Sequence, residues 1–289
     1  MAVLNPPRVL LVDDPERLDA LTARRRVAVH LTEADVAYRP HPIDSQARPW
    51  QGAPPQVALV CDAPEAAEEL TAQGVPVVYV HCGHRATPAP AITAVVQQIQ
   101  APARLPVPTS GTPGGPSRCG VFAPARMARA RSRAGCLVLV SGADVPGRLA
   151  AYTNDVLHPL STQAAAHPGG CDLVCDTGLP TVRKALSDVS GLRLHRAANV
   201  DVDSFHASAE TCHASPTWSA VALSLARKAP IALLPPLDPA QHDLAQRLQA
   251  PPGTVAAASV TSDVTDEDLR GAQRIARKLR QLAMVPPSK

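Results

Sequence analysis

The sequence predicts an α/β fold of two doubly wound, mostly parallel sheets, and three observations carry that prediction. Short apolar runs alternate with segments of helical spacing from Arg8 to Gln100, and again from Cys119 to Ala257. Several runs, Cys136–Val140 among them, are apolar at every position, as strands are when helices cover both faces of a sheet. Between the two halves lies Ala101–Arg118, with five prolines, three glycines, two threonines and two serines, which reads as a linker. The expected organisation is therefore a first domain over residues 1–100, a linker over 101–118, a second domain over 119–264 and a final helix over 265–289. Both halves of the 289-residue chain are of ordinary domain size.

In the first half, Arg8–Val12 is a buried strand. Pro15–Arg26 has helical spacing, with Leu18 and Leu21 on one face, and Val27–Leu31 returns to strand character. Tyr38–Pro55 is proline-rich and reads as a loop. Val57–Cys61 is a strand, Pro64–Gln73 a helix closed by Gly74, Val75–His81 a strand and Pro90–Gln100 a short helix. In the second half, strands are expected at Cys119–Phe122, Cys136–Val140, Asp172–Cys175, Leu192–His195, Thr211–His213, Ile231–Leu234 and Gly253–Ala257. The last helix, Asp266–Met284, is expected to start after Thr265 with three acids and to end among Arg277, Lys278 and Arg280, as the helix dipole prefers.

Composition narrows the function. A net charge of +3 is too small and scattered for a nucleic-acid binder, and 2% aromatic residues leave few rings for stacking on bases. Met1–Pro7 lacks the basic flank, apolar run and cleavage site of a signal peptide. No run approaches the ~20 apolar residues of a membrane span, although peripheral membrane contact stays open. Seven scattered cysteines do not suggest a disulfide framework. The expected location is the cytoplasm. Cys171 and Cys175 have the spacing of strand neighbours on one face, and no metal site is expected there.

In open parallel sheets, ligands bind outside the carboxyl ends of strands. Three turns there stand out: Ser141-Gly142-Ala143, Asp176-Thr177-Gly178, and His213-Ala214-Ser215-Pro216-Thr217-Trp218. In the last, Ser215 suits an N-cap and Pro216 the first helical position, so Thr217 and Trp218 would lie in the first turn. Free N–H groups at that helix end suit a phosphate, with His213, Ser215 and Thr217 as side-chain donors. A fourth feature runs from Pro235 to His242: Asp238 can cap, Pro239 start the helix, and Gln241 stands at capping-box spacing. Asp238 and Gln241 could also bond vicinal sugar hydroxyls. Each of these is also what an ordinary capped helix needs.

Taken in order, these residues resemble the C-terminal domain of GT-B glycosyltransferases of the MurG-like and UDP-glycosyltransferase branch. His213–Leu223 stands where that family carries the loop and helix that bind the donor diphosphate and ribose. Ala229–Pro235 stands at the following strand, and Asp238–Ala245 at the pair that meets the donor sugar. The resemblance covers about residues 130 to 250, with a looser fit over Val57–Val80. It implies two Rossmann-like domains with an interdomain cleft, and a last helix that crosses back to the first domain. It further implies inverting transfer of a sugar from a nucleotide-diphosphate donor, UDP- or dTDP-linked, to an acceptor hydroxyl, with no other cofactor. The donor-binding set it implies is Ser141, Gly142, Thr177, Gly178, His213, Ser215, Pro216, Thr217, Asp238 and Gln241. The base would be His84 or Asp13, with His81 a further candidate.

The sequence also departs from the family. Ala214 and Ser215 replace two loop glycines, Val221 stands where a ribose-binding acid is expected, and Asp238 is separated from Gln241. The alternative is thus a catalytically degenerate homologue that binds a nucleotide or a partner. A phosphoacceptor reading, with Asp13, Asp14 and Asp62 around magnesium, is disfavoured because no lysine follows where such domains use one.

Overall fold

A computed structural model describes residues 9–32, 36–40, 55–83, 96–100, 116–124, 132–142, 145–248 and 268–284. The chain divides into two compact units. Unit 1 comprises Met1–Asp14, Ala20–Ala125 and Thr265–Lys289, and unit 2 comprises Pro15–Asp19 and Arg126–Val264. Most of the expected linker, and the strand expected at Gly253–Ala257, lie outside the described residues.

Unit 1 holds a parallel sheet of β1 (Val9–Asp13), β2 (Val36–Pro40), β3 (Val57–Cys61), β4 (Val77–His81), β5 (Val96–Gln100) and β6 (Ser117–Gly120), in the order β2-β1-β3-β4-β5-β6. Every residue of β1, β3 and β4 is buried, because both faces are covered. On one face, Val9, Leu11, Leu59 and Val80 pack with Ala20, Ala23 and Val27 of α1 (Leu18–Ala28) and with Ile275, Ala276 and Leu279 of α9 (Gly271–Ala283). On the other, Leu10, Val12, Ala58, Val60 and Tyr79 pack with Ala67 and Leu70 of α2 (Pro64–Ala72). Gly74 closes α2 as expected. Its left-handed φ of 77° allows Val75 N–H to reach Leu70 O at 3.0 Å and Gly74 N–H to reach Thr71 O at 2.9 Å.

Four expectations for this unit are corrected. Val27–Leu31 is the end of α1 and a turn, because Val27 packs on the sheet as the last apolar residue of the helical face. Val36–Pro40, whose last three residues fall inside the expected loop, is a strand. Among the described residues it pairs only with β1, and an edge strand tolerates Pro40. The expected helix ending at Gln100 is instead β5. Its polar residues are buried by specific bonds: Gln98 Nε2 donates to Ser117 Oγ at 2.6 Å and Gln100 Nε2 to Cys82 O at 3.0 Å, while Gln100 Oε1 accepts from Phe122 N–H at 2.8 Å. Among the described residues the last helix starts at Gly271, three residues after Asp268, and the acids at 266 and 267 lie outside the described residues. Asp268 O accepts from Val121 N–H, residues 268–269 form a turn and Arg270 bridges to Phe122, so the helix opens at Gly271.

Unit 2 holds β7 (Cys136–Val140), β8 (Cys171–Cys175), β9 (Leu192–Arg196), β10 (Thr211–Ala214) and β11 (Ala232–Leu233), all parallel, in the order β11-β10-β7-β8-β9. Its helices are α3 (Pro146–Tyr152), α4 (His158–Ala165), α5 (Leu179–Ala185), α6 (Val202–Ser208), α7 (Trp218–Arg227) and α8 (Pro239–Arg247). Cys136, Val138 and Val140 of β7 pack with Cys171, Leu173 and Cys175 of β8 against Leu149, Leu157 and Val182. Cys171 and Cys175 do share one face. In α7, every residue from Trp218 to Ala226 is buried. Among the described residues, no helix is long and apolar enough to cross a membrane.

The two α/β units with parallel sheets agree with the expected fold class. The strand order of each reverses beside its first strand: between β1 and β3 in unit 1, and between β7 and β10 in unit 2. Such a switch point opens a crevice at the carboxyl ends of the strands.

Candidate functional site

The carboxyl ends of β7, β8 and β10 carry the turns singled out in the sequence. After β7, Ser141 N–H donates to Ser215 Oγ at 3.0 Å, tying the β7 turn to the β10 turn across the switch point. After β8, Asp176 is fully buried and gathers four donors. Its Oδ1 accepts from Gly142 N–H at 2.9 Å and Thr177 N–H at 2.8 Å, and its Oδ2 from Ser141 Oγ at 2.7 Å and Leu18 N–H at 3.2 Å. Burial nevertheless pushes its carboxyl up to about 6 against the pull of those donors. Thr177 Oγ1 donates to Glu16 Oε2 at 3.0 Å, and Arg196 reaches Glu16 Oε1 at 2.7 Å. Gly178 caps α5 with a φ of 66°, and a Cβ there would lie 2.3 Å from Leu149 Cδ2.

After β10, the helix start differs from expectation. Ser215 N–H still extends the ladder to Leu139 O at 2.8 Å, so the chain cannot enter a helix there. Thr217 is the N-cap instead, its Oγ1 accepting from Ala220 N–H at 3.3 Å, and Pro216 precedes the cap. Asp19 supplies the remaining partners. Its Oδ2 accepts from Trp218 N–H at 3.2 Å, and its Oδ1 from Ser219 N–H at 2.7 Å and from the Ser219 hydroxyl.

Asp238 caps α8 as expected, accepting from Ala240 and Gln241 N–H at 2.6 and 2.8 Å. Gln241 does not close a capping box on Asp238. Its Oε1 accepts from Leu237 N–H at 2.9 Å, one residue earlier, and its Nε2 donates to Ser141 O at 2.8 Å. Ser141, Gly142, Thr177, Ser215, Asp238 and Gln241, with Asp176, thus form one bonded network around the switch point, while Thr217 bonds within α7.

His213 is not part of it. It is in register with Val138, and its imidazole is one of the groups that hold the Cys136 thiol, at the opening of β7, below its ordinary range. Val221 is buried within α7. Asp176, Asp19, Glu16 and Ser219 were absent from the expected set. Asp176 had a signal, an acid closing an apolar strand. Asp19 had none, because an acid in the first turn of a helix is an ordinary dipole partner.

In unit 1, Asp13 closes β1 and is fully buried. Its Oδ2 accepts from Arg24 Nε at 3.0 Å, Tyr38 bonds the same carboxyl, and its Oδ1 has no partner among the described residues. Burial raises the Asp13 pKa, opposed by Arg24 and Tyr38. Burial and Asp13 push the Tyr38 phenol up to about 12, which keeps it a donor. His81 is buried beside Gln97, and burial lowers its pKa. His84 lies outside the described residues. Asp62 Oδ1 accepts from Cys82 N–H at 3.0 Å, and among the described residues no group of His, Cys, Asp or Glu is arranged to hold a metal.

The family described as CGA synthase-related protein matches residues 9–287 of this chain. The curated proteins hold no match. Similar solved structures include the glycosyltransferase SnogD from Streptomyces nogalater, at 14% identity and a TM-score of 0.44 over 98% of this chain and 96% of that one. The spinosyn rhamnosyltransferase SpnG complexed with thymidine diphosphate matches at 16% identity and 0.49, over 96% of each chain. UDP-GlcNAc 2-epimerase from Neisseria meningitidis, bound to UDP-GlcNAc, matches at 11% identity and 0.49, over 95% of this chain and all of that one.

Proposed function

We propose that this chain, which belongs to the CGA synthase-related protein family, transfers a sugar from a nucleoside-diphosphate sugar to an acceptor hydroxyl. Unit 2 would hold the donor, UDP- or dTDP-linked. The observation that supports this most is the strand order of unit 2. Its reversal gathers the turns after β7, β8 and β10 and the amino end of α7 around one switch point. That is where backbone N–H groups and a helix dipole favour a diphosphate.

Transfer with inversion is a single displacement. The acceptor oxygen bonds the anomeric carbon as the bond to the diphosphate oxygen breaks, and a base takes the acceptor proton. Stabilising the departing diphosphate and orienting the reactants would supply most of the acceleration. Asp13 suits the base. Burial raises its pKa, and one carboxyl oxygen has no partner among the described residues. The reaction needs no cofactor beyond the nucleotide sugar, and we expect it in the cytoplasm.

A second reading, the catalytically degenerate homologue, is favoured by Asp19 on the first two amides of α7 and by Val221 in place of an acid. Thermal unfolding with UDP, dTDP, GDP and their sugars separates the two. A nucleotide at a hundred times its dissociation constant stabilises the native state by ~2.7 kcal/mol. Such a shift, reduced in Thr217→Ala and Gln241→Ala and accompanied by nucleotide release from one donor, supports transfer. A shift with no turnover on any donor supports the degenerate reading.

A further inference from the structure

An α-helix begins with N–H groups that have no partner within the helix, and at α7 these are the amides of Trp218, Ser219 and Ala220. Val221 N–H already bonds Thr217 O at 3.0 Å. Thr217 takes Ala220, and Asp19 takes both Trp218 and Ser219 together with the Ser219 hydroxyl. Two amides and a hydroxyl converging on one carboxylate are the donor set that would otherwise face a phosphoryl group.

The rest of the crevice is occupied in the same way. Asp176 takes the amides of Gly142 and Thr177, and Glu16 takes the Thr177 hydroxyl and Arg196. Asp19 and Glu16 arrive together, on the five-residue segment Pro15–Asp19 that belongs to unit 2 although its sequence neighbours do not. Leu18 of that segment adds its N–H to Asp176, and its carbonyl accepts from the Ser219 hydroxyl at 3.4 Å.

We propose that Asp19 is a built-in stopper of the donor-diphosphate position. Its carboxylate stands on the α7 amides as an internal anion, and a diphosphate enters only when residues 15–19 withdraw from unit 2. The inference rests on the reading of unit 2 as a donor domain, and it adds a closed state to that reading. Its physical basis is simple. Two anions cannot share one pair of amides, so the stopper and the diphosphate exclude each other by geometry and by charge.

The test uses the full chain with Asp19→Ala and, as an isosteric neutral variant that keeps the helix start, Asp19→Asn. Binding of inorganic diphosphate, UDP and dTDP is measured by calorimetry and by the shift in unfolding temperature. The expected result is inorganic-diphosphate and nucleotide affinity about 100-fold higher in Asp19→Ala than in the natural protein, from loss of a like charge at contact distance. Asp19→Asn should fall between them, and it is the variant to read if Asp19→Ala does not fold. Equal nucleotide affinity in all three proteins overturns the stopper and leaves the donor reading standing. Inorganic-diphosphate binding gained by the variants, with no nucleotide bound by any protein, keeps the stopper and removes the donor reading. Variants that bind neither probe overturn the stopper, and Asp19 is then a helix cap only.

Discussion

The two switch points of this chain solve the same problem in opposite ways. In unit 2 the polar groups at the strand ends are paired with one another: three turns, two helix starts and the four carboxylates of Glu16, Asp19, Asp176 and Asp238 bond around the switch point, and Asp176 alone takes four donors. In unit 1 the corresponding ends of β1 and β3 carry Asp13 and Asp62. Among the described residues Asp13 Oδ1 is buried without a partner, and Asp62 holds a φ of 49° that residues other than glycine seldom adopt. A site whose groups are all paired is stable and closed. A site with an unpaired buried acceptor retains a group for chemistry.

The sharpest way to break the contrast is Asp176→Ala. It leaves the amides of Gly142, Thr177 and Leu18 and the half-buried Ser141 hydroxyl without their common acceptor, and is expected to cost about 3–5 kcal/mol of stability. Urea unfolding reads this directly, and a loss below 1 kcal/mol would show that the network is not what holds unit 2 together. Asp13→Asn should leave the fold intact while turnover on the proposed donor falls about 10²–10⁴-fold. Unchanged turnover with this variant would assign the base elsewhere.

A third effect is in the pH dependence. The folded pKa of Asp176 is raised to about 6, above its unfolded value, so its contribution to stability is complete below the ordinary carboxylate range and is lost as pH rises through about 6. Asp176→Asn keeps an acceptor for Gly142 and Thr177 and removes the titration. The stability difference between natural protein and variant should therefore move against the natural protein between pH 4 and about pH 6, then level off. A flat difference would mean that the carboxyl titrates normally. The smallest expected effect is Thr217→Ala, which removes one cap bond at α7 and should cost about 1 kcal/mol. That loss should stay small because Asp19 still covers two of the amides.

Much of this was legible in the sequence where a local rule applies. Continuous apolar runs located β1, β3, β4, β7 and β8, Gly74 closed α2, and Asp238 capped α8. Local rules failed where a distant partner decided the outcome. Gln98 and Gln100 look like helix surface until Ser117, Cys82 and Phe122 are brought beside them. Ser215 looks like a cap until the ladder to Leu139 is seen to hold it in the sheet. Asp19 is the extreme case, since its partners lie 199 and 200 residues further along the chain.

That span has a consequence for dissecting the molecule. The residues from Arg126 onward are not by themselves a complete folding unit. A C-terminal fragment begun there would lack Glu16, Leu18 and Asp19, exposing the first two amides of α7 and removing one donor from a buried carboxylate. During synthesis the segment that completes unit 2 leaves the ribosome before any strand of the sheet it joins. The contact that closes unit 2 is then among the longest-range in the chain, and by the usual relation between sequence separation and folding speed it belongs among the last to form.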